Sequence, residues 1–168
     1  MDVQPDEEDN DAEVVDARGL VLEMGPTVQA DQVGRHNVMT IATLRRNGYP
    51  QATTVTYAND GLDIYFGCDR TAQKITNIKH DSKVSLTIDR DYRNWSQIKG
   101  LSMAANAYIL ADSDEIEHAA RLLAKKFAQW AQLSPADKKA VRFVKVVPKI
   151  ISILDYTKGF GHTDLVRA

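Results

Sequence analysis

The sequence predicts a mainly β domain, a small antiparallel barrel or curved sheet of six strands with helices at its ends. Three observations predict it. Stretches that alternate apolar and polar residues, or are rich in β-branched residues, recur from His36 to Tyr156, and short turns such as Asn47-Gly48 and Asn59-Asp60-Gly61 join the first of them. Only Asp112 to Trp130 carries a long, clear helical period. The order of hairpins, helix, hairpin, helix and strand has too few crossover helices for a parallel α/β sheet.

The chain has 168 residues, enough for one domain that buries roughly two-thirds of its unfolded surface. Its first sixteen residues hold eight acids and no Lys or Arg. Residues 1–12 are too polar and too uniformly charged to offset their ordering entropy, so a disordered acidic tail is expected there, followed by a single domain over 13–168. The net charge of −2 therefore conceals a body of about +6, suited to an anionic small molecule. Without a basic stripe or an aromatic platform, that charge is too diffuse for a nucleic-acid footprint. No apolar run reaches the roughly 20 residues of a membrane span, and the acidic start is unlike a signal peptide, so a cytoplasmic protein without membrane contact is expected. One cysteine, Cys68, excludes an intramolecular disulfide.

Two weak helical patches precede the sheet, at Val14–Met24 and after Gly25-Pro26. His36–Arg46 is β-rich, and Asn47-Gly48 signals a two-residue type I′ hairpin with positive φ at both central positions. Tyr49–Tyr57 is the returning strand, with Pro50 at its start, where a missing N–H is tolerable. Leu62, Ile64 and Phe66 alternate as a third strand that breaks at Gly67. A helix from Thr71 or Ala72 to His80 places Ala72, Ile75 and Ile78 on one stripe. Val84, Leu86 and Ile88 alternate within Ser82–Asp89, and Asp89–Trp95 is a charged connector. Ser96–Leu110 is the longest strand candidate, with Gly100 marking a bulge or a close backbone approach. Asp112 and Glu115 can cap a helix whose apolar stripe, Ile116, Ala119, Leu123, Phe127 and Trp130, is core packing. Ser134-Pro135 opens a short helix, and Arg142–Tyr156 is the last strand, with Pro148 demanding an edge or a bulge. A glycine-rich tail, Thr157–Ala168, closes the chain.

The chemistry concentrates in Gly61–Ile78, GLDIYFGCDRTAQKITNI. A strand that feeds a helix N-terminus through a polar turn brings backbone N–H groups and a partial positive charge to one place. Arg70 and Lys74 add two cations there, and the stretch reads as a phosphate seat. Cys68 is a packing or lining residue, since no partner that would activate a thiol is visible. His36 and His80 lie at element edges and His118 on the polar side of the long helix. No pair has His-x-x-x-His spacing, so no metal site is expected.

Three segments, IATLRRNGYPQATTVTY, GLDIYFGCDRTAQKITNIKHDSKVSLTID and IKGLSMAANAYIL, resemble the core of the pyridoxamine 5′-phosphate oxidase-like superfamily. The resemblance covers about residues 36–110 and implies a six-stranded antiparallel split β-barrel with flanking helices that binds FMN. It places the flavin phosphate at Gly67, Cys68, Arg70, Thr71, Gln73 and Lys74. Lys74 matches the lysine of the family's K-x-x-N-[LI] pattern, while Cys68 and Ala72 stand where hydroxyls are usual and Gln73 where Arg is frequent. The flavin ring maps to Ala52, Thr53, Thr54 and Val55, whose plain alternative is β-propensity on a half-buried strand. The resemblance further implies a homodimer with the cofactor at the interface, to which Trp95 and the Gly159–His162 segment contribute.

It implies an oxidoreductase moving a hydride or electrons to or from a small organic substrate, with no obligate catalytic acid or base visible. Two alternatives stay open, a deazaflavin-dependent reductase of the same fold and a non-catalytic flavin or haem carrier. Oxidation of pyridoxamine phosphate itself is disfavoured, because the tail offers Gly161-His162 and Arg167 in place of a longer basic set.

Overall fold

The computed structural model describes residues 33–167. The acidic tail and the two helical patches expected before Val33 lie outside the described residues. The elements, in chain order, are β1 (Val38–Leu44), β2 (Pro50–Thr56), β3 (Ala58–Asp60), β4 (Asp63–Asp69), α1 (Gln73–His80), β5 (Lys83–Ile88), β6 (Lys99–Ile109), α2 (Ser113–Lys126), α3 (Ala128–Ala131), α4 (Pro135–Ala140), β7 (Val141–Asp155) and β8 (Thr163–Arg167). All pairings are antiparallel and run in the order β2-β1-β5-β6-β7-β4-β3, with β8 added along β7. The sheet curls until β2 meets β4, giving a half-closed, split barrel.

Alternation builds its interior. Met39, Ile41, Ile64, Phe66, Leu86, Met103, Val144 and Ile151 point inward and are buried, each worth roughly 1.5–3 kcal/mol relative to exposure. A smaller apolar cluster on the outside joins Tyr65 and Leu110 to Ala119 of α2. α2 begins as the sequence implies, with the Asp112 carboxylate accepting from the N–H groups of Asp114 and Glu115.

Among the described residues the sheet has eight strands, not six. One addition, β3, is three residues long and joins β4 through Gly61 (φ 58°) and Leu62. The other, β8, pairs Thr163–Arg167 with Ile150–Leu154 of β7, so β7 is not the last strand and the glycine-rich tail is only partly a tail.

The first hairpin also differs from expectation. The Gly48 N–H donates to the Arg45 carbonyl at 2.9 Å, and only Gly48 has positive φ. That is a type I turn followed by a left-handed glycine, the three-residue solution. Asn47 keeps negative φ, and its side chain accepts from the Tyr49 N–H at 3.3 Å.

β4 does not break at Gly67 but runs through it to Asp69. A Cβ at Gly67 would come within 2.4 Å of the Trp130 indole, so the glycine makes room for an aromatic lid instead of a turn. Trp130 itself is not on the long helix. Phe127 ends α2 at φ −133°, and α3 then swings Trp130 across Gly67 and against Phe143. Both Phe127 and Trp130 are half-buried covers, not interior core.

The sheet's register step lies at Ala104/Ala105, opposite Ile150 and Pro148, which leaves Lys149 as the extra residue. The bulge thus accompanies Pro148, and Gly100 sits in regular pairing with Leu154, 11-residue β6 being shorter than 15-residue β7.

Candidate functional site

The turn from β4 into α1 is built by Asp69. Its Oδ1 accepts from the Thr71 N–H at 2.7 Å and from the Thr71 hydroxyl, and its carbonyl accepts from the Ala72 N–H. These bonds hold the Asp69 carboxyl below the usual carboxylate range, the Thr71 hydroxyl contributing most. The Thr71 hydroxyl is therefore spent within the turn. Arg70 is anchored by its own N–H on the Ala140 carbonyl at 2.8 Å.

α1 then starts without a side-chain cap, from Ala72, and has no acid in its first turn. The N–H groups of Gln73 and Lys74 open its N-terminus, a position that favours an anion. Gln73 itself faces back along the helix, donating to Asn77 Oδ1 at 2.9 Å, and does not serve the turn.

Asn77 is almost fully buried and ties α1 to the first hairpin, donating to Thr43 Oγ1 at 2.9 Å and Gln51 Oε1 at 3.2 Å. Lys74, one turn earlier on the same helical face, is thereby set toward the β2 side of the barrel. Cys68 packs half-buried against the core. Burial pushes its thiol up, against the pull of the Lys74 ammonium and with the push of Asp69, so it is a lining residue without thiolate character.

On β2 the four predicted residues divide. Thr53 and Val55 face inward, while Ala52 and Thr54 are exposed. The hairpin's hydrogen bonds, Arg45 N–H to Tyr49 and Tyr57 N–H to Asn37, put odd-numbered β2 residues in bonded pairs with β1. The backbone groups of Ala52 and Thr54 accordingly turn to the edge, which is open among the described residues. The Thr53 hydroxyl is buried and has no hydrogen-bond partner among the described residues, and leaving a buried hydroxyl unpaired costs about 1–3 kcal/mol.

The predicted site is thus not one cluster. Cys68, Arg70, Thr71 and Lys74 gather at one end of the sheet, and Thr53 lies on β2, the strand that meets β4 as the barrel closes. Gly67 faces Trp130 instead. Trp95 stands at the other end, 60 % exposed, edge-on to Phe160 at 5.4 Å. It precedes the first residue of β6, whose last residue, Ile109, borders Arg70 and Thr71, and eleven strand residues span about 35 Å. The far end carries its own groove of about 520 Å³, lined in part by Arg90, Tyr92, Leu101 and Ser152.

Three residues near the turn were not singled out in the sequence. Lys79 and Arg142 line a cleft with Arg70, and Asn77 orients the helix. The K-x-x-N spacing was the available signal for Asn77, whereas Arg142 comes from β7 and has none. His118, on the polar side of α2, pairs with Asp60 at 3.1 Å and meets the Tyr65 ring edge-on. Among the described residues no group of three His, Cys, Asp or Glu side chains could hold a metal, and no helix is long and apolar enough to cross a membrane.

A curled, half-closed antiparallel sheet with an uncapped helix N-terminus at one end defines a protein of the split-barrel class. The pyridoxamine 5′-phosphate oxidase family model matches residues 27–154, and the chain belongs to that family. No curated protein matches the sequence. Solved structures do resemble it in fold. A conserved hypothetical protein of Mycobacterium tuberculosis superposes with a TM-score of 0.69 at 21% identity, covering 80% of this chain and 87% of that one. A heme binding protein of Mycobacterium smegmatis gives 0.69 at 21%, covering 88% and 60%. A FAD-binding protein of Mesorhizobium loti gives 0.59 at 18%, covering 75% and 91%.

Proposed function

We propose that the protein binds a phosphorylated flavin, FMN being the smallest, and serves as an oxidoreductase for a small organic substrate. The observation that carries this is the uncapped, acid-free N-terminus of α1 with Lys74 and Arg70 beside it, while β2, which bears the orphaned Thr53 hydroxyl, closes the barrel against β4. Lys74, Arg70 and the N–H groups of Gln73 and Lys74 would hold the phosphate. The open-edge backbone of Ala52 and Thr54 would meet polar atoms of the ring, and Thr53 Oγ would gain its missing partner. A bound flavin supplies the hydride or electron exchange, and the protein's part is to place it and to exclude water. The family membership and the FAD-binding neighbour support this reading.

The same geometry favours a homodimeric site. One chain cannot bring Trp95 to a ligand held by Lys74 across about 35 Å of sheet, but a second copy packed in the opposite sense can, laying its far-end groove and Trp95 against the turn. A cytoplasmic location fits a protein working on soluble metabolites.

Titration of the purified protein with FMN, followed by flavin absorbance and fluorescence, tests the reading. Micromolar binding that Lys74→Gln weakens about tenfold supports it, and no binding of FMN or of FAD at micromolar concentration sinks it. A deazaflavin competed against FMN on the same sample identifies which ring the site prefers.

A second reading, a flavin or haem carrier without turnover, is favoured by the turn's lack of an acid–base pair and by the unactivated Cys68 thiol, and one neighbour binds heme. Turnover with reduced nicotinamide, flavin and a dye acceptor would exclude it.

A further inference from the structure

Beside the turn lies a cleft of about 280 Å³ lined by Arg70, Thr71, Ile75, Lys79, Ile109 and Arg142. Three of its six lining residues are cations and none is a carboxylate. One phosphate at the α1 N-terminus would be matched by Lys74, Arg70 and two N–H groups, leaving Lys79 and Arg142 without a role in holding it. Arg142 is nonetheless positioned. Its guanidinium donates to the carbonyls of Val141 at 2.9 Å and Lys139 at 3.3 Å, which fixes its plane while other donors of its five remain available. Ile75, 2% exposed, forms an apolar floor and Ile109 a half-buried wall. Cationic rims over an apolar floor suit a phosphate followed by a flat, weakly polar ring. Arg70 belongs to both the turn and the cleft, so the two are continuous.

We propose that the cleft receives the second phosphate and the nucleoside of a flavin dinucleotide, making FAD and not FMN the preferred ligand. The proposal rests on the flavin reading above and extends it along α1. Arg70 bridges the two phosphates, Arg142 and Lys79 bind the outer one, and the base lies against Ile75 and Ile109.

Calorimetric titrations of the full chain with riboflavin, FMN and FAD test it, alongside the Lys79→Gln/Arg142→Gln double variant. The expected result is FAD binding at least about tenfold tighter than FMN. In the double variant FAD affinity falls to the FMN level while FMN affinity is unchanged, which also shows that the variant is folded. FMN binding as tightly as FAD, or an FAD preference that survives the double substitution, overturns the dinucleotide proposal and leaves the flavin reading standing. Failure of both FMN and FAD to bind overturns the two together.

Discussion

Gly67 is the residue on which packing and site meet. It lies one residue before Cys68 in β4, and its missing side chain lets the Trp130 indole lie on the strand. An Ala there would bring its Cβ within 2.4 Å of the indole. Gly67→Ala should therefore cost about 1–3 kcal/mol, measured by chemical denaturation. Trp130→Leu in the same chain should recover part of that loss, because the two positions are in contact and their effects are coupled. A glycine in a run ending in polar residues reads as a turn from sequence. What reverses that reading is an aromatic 63 positions later, whose approach no local pattern encodes.

At the level of elements, α1 starts without help from its own sequence. Ala72 occupies the N-cap with φ −58° and ψ 137°, a geometry a capping hydroxyl could use, and supplies no hydrogen bond. Ala72→Ser should stabilise the protein by about 0.5–1 kcal/mol, seen as a higher melting temperature. The strand β8 has a different anchor. Asp164 is buried and pairs with Lys158 at 2.8 Å and His162 at 3.0 Å. These partners, Lys158 foremost, hold its carboxyl below the usual carboxylate range. Its stabilising contribution is therefore fully present above the unfolded value near 3.9 and is lost as pH falls through the lower folded value. Unfolding free energy should drop between pH 5 and 3 in the native protein, and drop less in Asp164→Asn, which starts from lower stability.

These elements also show what the sequence could convey. The strands β1, β2, β5 and β6, both capped helices and the bulge at Pro148 were legible because alternation, cap residues and proline act locally. β3 and β8 were not, since three and five residues carry too little period to stand out from a loop, and each exists through its pairing. The placement of Arg70 and Lys74 at the turn between β4 and α1 was legible from the strand–turn–helix pattern. Lys79 and Arg142 were not, because only the folded sheet carries β7 beside α1.

For the whole molecule, the separation of Trp95 from Lys74 by the length of β6 makes a quantitative test of assembly possible. If each site draws on two copies, Lys74→Gln and Trp95→Ala proteins each bind flavin weakly, yet a mixture refolded or exchanged at equal amounts forms about half heterodimers, each with one intact site. About a quarter of all sites should then bind as the native protein does, read by fluorescence titration; no recovery would assign both residues to one chain. The long strand β7 bears on how such a molecule is made. It pairs with β6 along its length, with β4 through Val141–Val146 and with β8 through Ile150–Leu154. β4 therefore emerges from the ribosome some 70 residues ahead of its partner. Until β7 follows, the edge that leads through Cys68 into the turn before α1 stays uncovered, and contacts this distant in sequence form slowly. The nascent chain is most in need of protection from aggregation, by a chaperone or by a fast translation rate, over the interval between synthesis of Asp69 and synthesis of Val146.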